Sequence, residues 1–158
     1  MSQQLNVKKP SVTIRQALED LRKVERSNKY DVDMSEWCLK AQDTCYVCFA
    51  GSVLVKRLDK ESDYIDSDDF PDRESNALNA LDSFRRGCYI HALQEYFQDD
   101  RWEDIYSIED LEKLNESEML LFVRLHNLSN EHVHYESNPN KFKRQMCKVA
   151  NVLEKYGY

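Results

Sequence analysis

The sequence predicts a mainly α-helical single domain of about five to seven helices, with room for a small strand pair. Only three glycines and three prolines interrupt its 158 residues, whereas a sheet-rich architecture would call for many more turn residues. Apolar residues recur at helical spacing in several separate stretches. A chain of this length buries roughly 70% of the surface its unfolded form exposes, so one core suffices and residues 1–158 read as one domain.

Residues 1–10, MSQQLNVKKP, read as a flexible tail. Residues 11–26, SVTIRQALEDLRKVER, place Ile14, Ala17, Leu18, Leu21 and Val24 on one helical face, with Thr13 and Gln16 as a capping box. After Tyr30, DVDMSEWC looks like a helix start of one or two turns, capped by Asp33 or Ser35 and carrying Trp37 inward. Thr44 to Leu58, TCYVCFAGSVLVKRL, is nearly continuous apolar text. Val47, Val53 and Val55 pull it towards strand, but fifteen residues is long for a strand, and length decides for a central buried helix. Ala50 and Gly51 would let a neighbouring backbone come close to it.

Residues 59–74, DKESDYIDSDDFPDRE, set eight acids against Lys60 and Arg73 and read as an acidic loop. From Ser75 the helical spacing resumes with Ala77, Leu78, Leu81 and Phe84, then continues beyond Gly87 with Tyr89, Ile90, Leu93 and Phe97, as two helices or one bent helix. Gln98 to Glu112, QDDRWEDIYSIEDLE, is a second acidic stretch, with seven acids against Arg101. Within it Ser107 can cap a helix whose first turn holds Glu109 and Asp110. Met119 to Leu128, MLLFVRLHNL, is the best strand candidate if a strand exists. Asn138 as cap and Pro139 at the first helical position open the clearest helix. Its face is Phe142, Met146, Val149, Val152, Leu153 and Tyr156, and Gly157 stops it.

Charge is unevenly spread. The formal net charge is −7, but residues 1–30 hold seven bases against three acids and residues 139–158 five bases against one acid. An acidic face attracts a basic partner and speeds its docking, and aromatic side chains set among charges anchor interfaces. The candidate partner-binding residues are therefore Asp63, Tyr64, Asp66, Asp68, Asp69, Asp99, Asp100, Trp102, Glu103 and Asp104, with Phe70 and Tyr106 as further aromatics in the same stretches. The bland alternative makes both stretches solvated loops that keep the protein soluble. Direct binding of nucleic acid is not expected of so acidic a chain; it would have to use the basic termini, which carry no recognised motif.

Five cysteines, an odd number, fit a reducing compartment. Cys45-x-x-Cys48 and Cys88-x-x-His91 are two close pairs of the kind structural zinc takes. Both lie in apolar text without turn residues, where cysteine is more often a small buried hydrophobe. Buried thiols with no metal or cofactor are expected, and a zinc-stabilised interaction domain using those four residues is the alternative. Cys48 or Ser52 with His91 or His126 lacks the spacing of a nucleophile and its base. His132 and His134 with Glu131 read as a solvated loop, and glycines at 51, 87 and 157 build no phosphate cradle. An enzyme is the weaker expectation, a small enzyme of unknown class being kept beside it. No apolar run reaches the about 20 residues that cross a bilayer, and MSQQLNVKKP, with two lysines but no apolar core after them, is not expected to be a secretory signal. A cytoplasmic protein is expected, and its amphipathic terminal helix would close a homodimer as readily as a core.

Asp33, Met34, Trp37, Cys45, Cys48, Ala50 and Gly51, in DMSEW followed by TCYVCFAGSVLV, resemble a group of small uncharacterised proteins of bacteriophages and some bacteria. In these an Asp-Met-x-x-Trp segment precedes a cysteine-containing helix with an Ala-Gly step. The likeness covers residues 13–58, with a looser likeness in the C-terminal helix. It brings no catalytic residue. The resemblance implies a phage-encoded accessory protein in the cytoplasm of the host bacterium, of a kind that binds and blocks host proteins. The expected partner is a host protein with a basic surface, such as a nuclease or an anti-phage defence complex, with no membrane involved.

Overall fold

A computed structural model describes residues 9–60, 70–85, 91–93, 96, 107–131 and 134–158. Helix α1 (Pro10–Glu25) opens on a proline, which has no N–H to leave unpaired at a helix start. It begins before the cap predicted at Thr13: Lys9 is the N-cap residue, and Thr13 Oγ1 donates back to its carbonyl at 3.3 Å. Pro10, assigned to the tail by the sequence, is instead buried in α1 together with Ser11, while residues 1–8 lie outside the described residues. Ser11 Oγ donates to the carbonyl of Tyr158 at 2.6 Å and ties α1 to the last residue of the chain.

A strand and a turn stand where DVDMSEWC suggests a short helix. Strand β1 (Tyr30–Val32) runs into Asp33, whose Oδ1 accepts from the Ser35 N–H at 2.9 Å and from Ser35 Oγ at 2.6 Å. This local Asx turn satisfies the backbone without starting a helix. Trp37 is half-buried against the core and leads into β2 (Cys38–Ala41). With β3 (Thr44–Val47) it forms a hairpin around Gln42 and Asp43, Gln42 taking a left-handed φ of 55°. The sheet order is β1-β3-β2, with β1 parallel and β2 antiparallel to the central β3.

The single helix expected from Thr44 to Leu58 is a strand and a helix joined at Cys48. Thr44 and Val47 are β-branched and suit a strand paired on both sides. Helix α2 (Phe49–Lys56) follows, with Cys48 as an extended N-cap (φ −87°, ψ −170°) whose Sγ accepts from the Gly51 N–H at 3.4 Å. Phe49 through Val55 are all buried, so the expected central helix exists over these residues. It packs against α1 and against α3 (Asp72–Arg85). Asp72 and Glu74, the end of the first acidic stretch, form the first turn of α3, where acids complement the helix dipole. Helical residues recur at 91–93 and 96, and Ala92 and Leu93 are buried. The junction at Gly87 lies outside the described residues.

Ser107 caps the short α4 (Ile108–Leu111), its Oγ accepting from the Asp110 N–H at 3.2 Å. The segment marked as the best strand candidate, Met119 to Leu128, belongs instead to α5 (Glu116–Asn130). Asn115 and Glu118 close a reciprocal capping box at 2.9 and 3.2 Å, and Leu121, Phe122, Leu125 and Leu128 are buried at helical spacing. Helix α6 (Pro139–Lys155) runs as the sequence predicts. Asn138 Oδ1 accepts from the Lys141 N–H at 3.0 Å, Phe142, Met146, Val149 and Leu153 are buried, and Val152 and Tyr156 are half-buried beside them. Gly157 takes φ 87°, the left-handed conformation that ends helices. The architecture is a mainly α single domain carrying one small sheet. Among the described residues no helix is long and apolar enough to cross a membrane.

Candidate functional site

The fifteen residues from Trp37 to Gly51 gather three thiols, but not in the pattern their spacing suggests. Cys45 lies on β3 and Cys48 at the cap of α2, so they are not one turn apart on a helix. Cys45 instead meets Cys38 across the hairpin, Sγ to Sγ 3.4 Å, both being buried thiols outside any disulfide. The two are diagonal neighbours on one face, Cys38 opposite Val47 and Cys45 opposite Lys40. Burial pushes the Cys48 thiol up to about 11, only partly offset by the Gly51 N–H that it accepts. A thiol so shifted carries little thiolate at neutral pH, and the thiolate is the form that attacks or binds metal.

His91, from the proposed zinc set, is exposed whereas Cys45 and Cys48 are buried, and Cys88 lies outside the described residues. Among the described residues no three His, Cys, Asp or Glu side chains gather as metal ligands. Ser52 Oγ donates to the Cys48 carbonyl at 3.0 Å, a bond within its own helix. His126 stacks on Phe122 of α5, centroids 5.8 Å apart.

All ten candidate partner-binding residues, Asp63, Tyr64, Asp66, Asp68, Asp69, Asp99, Asp100, Trp102, Glu103 and Asp104, lie outside the described residues, as does Tyr106. Phe70 is half-buried and packs against the core, so it is no exposed anchor. The described end of the second acidic stretch supplies a residue the sequence reading missed. Ile108 is 76% exposed at the start of α4, beside Glu109 and Asp110. The Ser107 hydroxyl donates to the Asp110 carboxylate and, as the largest cause, holds that carboxyl below the usual range, so the acid stays charged. Leu120 and Val123, one turn apart on α5, are also exposed. They were legible as the apolar residues of MLLFVRLHNL that fall off the stripe of Leu121, Leu125 and Leu128.

The two basic ends of the chain are brought together by α1 packing on α6. Arg15 donates to Asn151 Oδ1 at 2.9 Å and to Glu154 Oε2 at 2.8 Å. Lys143 Nζ donates to both oxygens of Glu25 at 2.8 and 2.9 Å, and the Tyr135 hydroxyl donates to the same carboxylate at 2.8 Å. Burial first, then the Glu25 carboxylate, raise the Tyr135 pKa and keep its proton in place. A second clamp joins α1 to the end of α2, where Arg57 donates to Asp20 at 3.2 and 3.0 Å. Compared with family models, with curated proteins and with solved structures, the chain matches none.

Proposed function

We propose that the protein is a non-enzymatic accessory protein of the phage type that binds and inhibits a host protein through an acidic surface set with apolar anchors. The target class is a nuclease or anti-phage defence complex that presents a basic nucleic-acid cleft. The observation that carries this reading is Ile108, a large apolar side chain left 76% exposed among the acids of α4. Its exposure costs solvation and contributes no internal packing, whereas a buried apolar anchor ringed by charges is how interfaces concentrate their energy. Docking α1 on α6 keeps the basic ends of the chain together, which favours a separate negative field in the rest of the molecule.

The test is affinity capture from a bacterial lysate at low and moderate salt, with wild type, with Ile108→Ser, and with Asp66, Asp68, Asp69, Asp99 and Asp100 changed to Asn. A stoichiometric partner held by wild type and lost from both variants is expected. No stoichiometric partner, or one that both variants retain, ends the proposal.

A further inference from the structure

We infer that the α1–α6 face is a second binding surface, which grips the phosphate backbone of a nucleic-acid duplex without reading its sequence. The surface is a groove of about 440 Å³ between the two helices, lined by Arg22, Asn140, Lys143, Arg144, Cys147 and Lys148. Four of these six are cationic and none is acidic, in a chain whose net charge is −7. Lys143 is held by Glu25, but Arg22, Arg144 and Lys148 are exposed and have no carboxylate partner among the described residues. Lys148 also lines a neighbouring groove of about 400 Å³, with Arg124 and Asn127 of α5 and with Glu131 as its one acid. It therefore stands on a ridge between the two grooves.

The ridge is a row. Lys141, Arg144, Lys148, Asn151 and Lys155 are all exposed and follow one another at spacings of three and four residues, which aligns them along one side of α6. At 1.5 Å rise per residue the row is about 20 Å long. Over that length a duplex presents a charge about every 1.7 Å, denser than an extended acidic peptide, whose residues are about 3.3 Å apart even if all are charged. The groove lining has no aromatic ring on which an unpaired base would stack, so it contacts phosphates and not bases. A lipid surface would need an apolar face on the same helix, and the apolar face of α6 is spent on the core. The expectation of no direct nucleic-acid contact came from the acidity of the chain and from the lack of a recognised motif in its basic termini; the packing of α1 on α6 gathers basic residues of both on one face, and a grip on phosphates needs no sequence motif. The inference stands independently of the acidic stretches and of any protein partner.

The experiment measures binding of a short labelled DNA duplex by fluorescence anisotropy, with the full chain, across a salt series. With Arg22, Arg144 and Lys148 engaged, affinity is expected to fall about fortyfold from 50 to 200 mM salt. The Arg22→Gln/Arg144→Gln/Lys148→Gln variant changes only exposed side chains, and circular dichroism checks its fold. It is expected to lose at least tenfold in affinity at the low-salt end and most of the salt dependence, while Lys40→Gln/Lys113→Gln, outside the groove, binds as wild type. Alkylation of Cys147, read by peptide mass spectrometry, locates the ligand: saturating duplex is expected to slow it and polyglutamate is not. Failure of the duplex to bind at low salt, a triple variant as tight as wild type, or protection of Cys147 by polyglutamate equal to that by duplex overturns the inference, the last outcome assigning the groove to an acidic protein surface.

Discussion

The carbonyl oxygen of Trp37 occupies the place where a side chain on Gly51 would begin: a Cβ there would lie 1.7 Å from that oxygen and 2.8 Å from the carbonyl carbon. The contact is backbone on both sides, so no rotamer change relieves it. It seats the entry to β2 directly on the first turn of α2 and fixes the sheet against the core.

Gly51→Ala therefore tests the seat. Alanine alone would favour a helix by about 1 kcal/mol, yet separating Trp37 from α2 is expected to cost about 2–3 kcal/mol net. Urea unfolding should show a lower midpoint with an unchanged slope. A variant as stable as wild type, or more so, would rule out the close approach.

This seat was legible in the sequence, where the Ala-Gly step in apolar text already suggested a close neighbour. So were α1, α3 and α6, whose apolar spacing and, for α6, Asn-Pro start leave little choice. The strand–helix boundary was not, because the cap at Cys48 is a thiol doing the work of a hydroxyl, and capping preferences are known for oxygen. Helix α5 is masked by its apolar run, which resembles a strand, although the capping box from Asn115 to Glu118 marks a helix start in the sequence. A small strand pair was within the expectation, but its place was not legible, because β1 and β2 are three and four residues long and pair through a strand between them that resembles helix. Among candidate site residues, Ile108 is hidden inside a stretch whose acids, aromatics and Ser107 cap carry the sequence signal. The basic groove depends on which helices pack, which periodicity does not reveal.

Cys48 should make the protein sensitive to alkali. Its pKa is raised from 9.0 to about 11, chiefly by burial. For an acid group whose folded pKa lies above the unfolded one, the contribution is complete below the lower value and is lost as pH rises to the higher. Stability is thus expected to fall between about pH 9 and 11, by at most about 3 kcal/mol from this group. Tyr96 and Tyr135 are raised as well and act with the same sign, so the measurement is the difference between wild type and Cys48→Ala. Unfolding free energies taken across that range should converge as pH rises; parallel curves would show that Cys48 is not the titrating group.

The four described cysteines should separate by reactivity. Cys147 is half-buried among the groove cations, while Cys38, Cys45 and Cys48 are buried. Near neutral pH, iodoacetamide is expected to modify Cys147 in the native protein and the other three at least about a hundredfold more slowly, the ratio set by an opening free energy of about 3 kcal/mol. Denaturant should erase the difference. Native labelling of Cys45 at the rate of Cys147 would contradict the packed hairpin.

Asp20 and Arg57 form the pair that holds α1 to the end of α2, with 1% and 13% of their side chains exposed. Burial is the largest influence on Asp20 and raises its pKa despite the Arg57 hydrogen bonds and charge. The sign follows: its contribution is complete below the unfolded value near 3.8 and is lost as pH rises through the folded value, so at neutral pH the charged form is a net cost. Removing one partner is worse than removing both. Asp20→Ala removes the carboxylate to which the largely buried Arg57 guanidinium donates, and is expected to cost about 3 kcal/mol. Asp20→Leu/Arg57→Met fills the same space with apolar groups and is expected to fall within about 1 kcal/mol of wild type, on either side. Thermal and urea unfolding of the two single leucine and methionine variants and the double complete the cycle, with an expected coupling of about 2 kcal/mol. Additive losses would mean that the two side chains do not act as a unit, and that α1 is held to α2 by its apolar face alone.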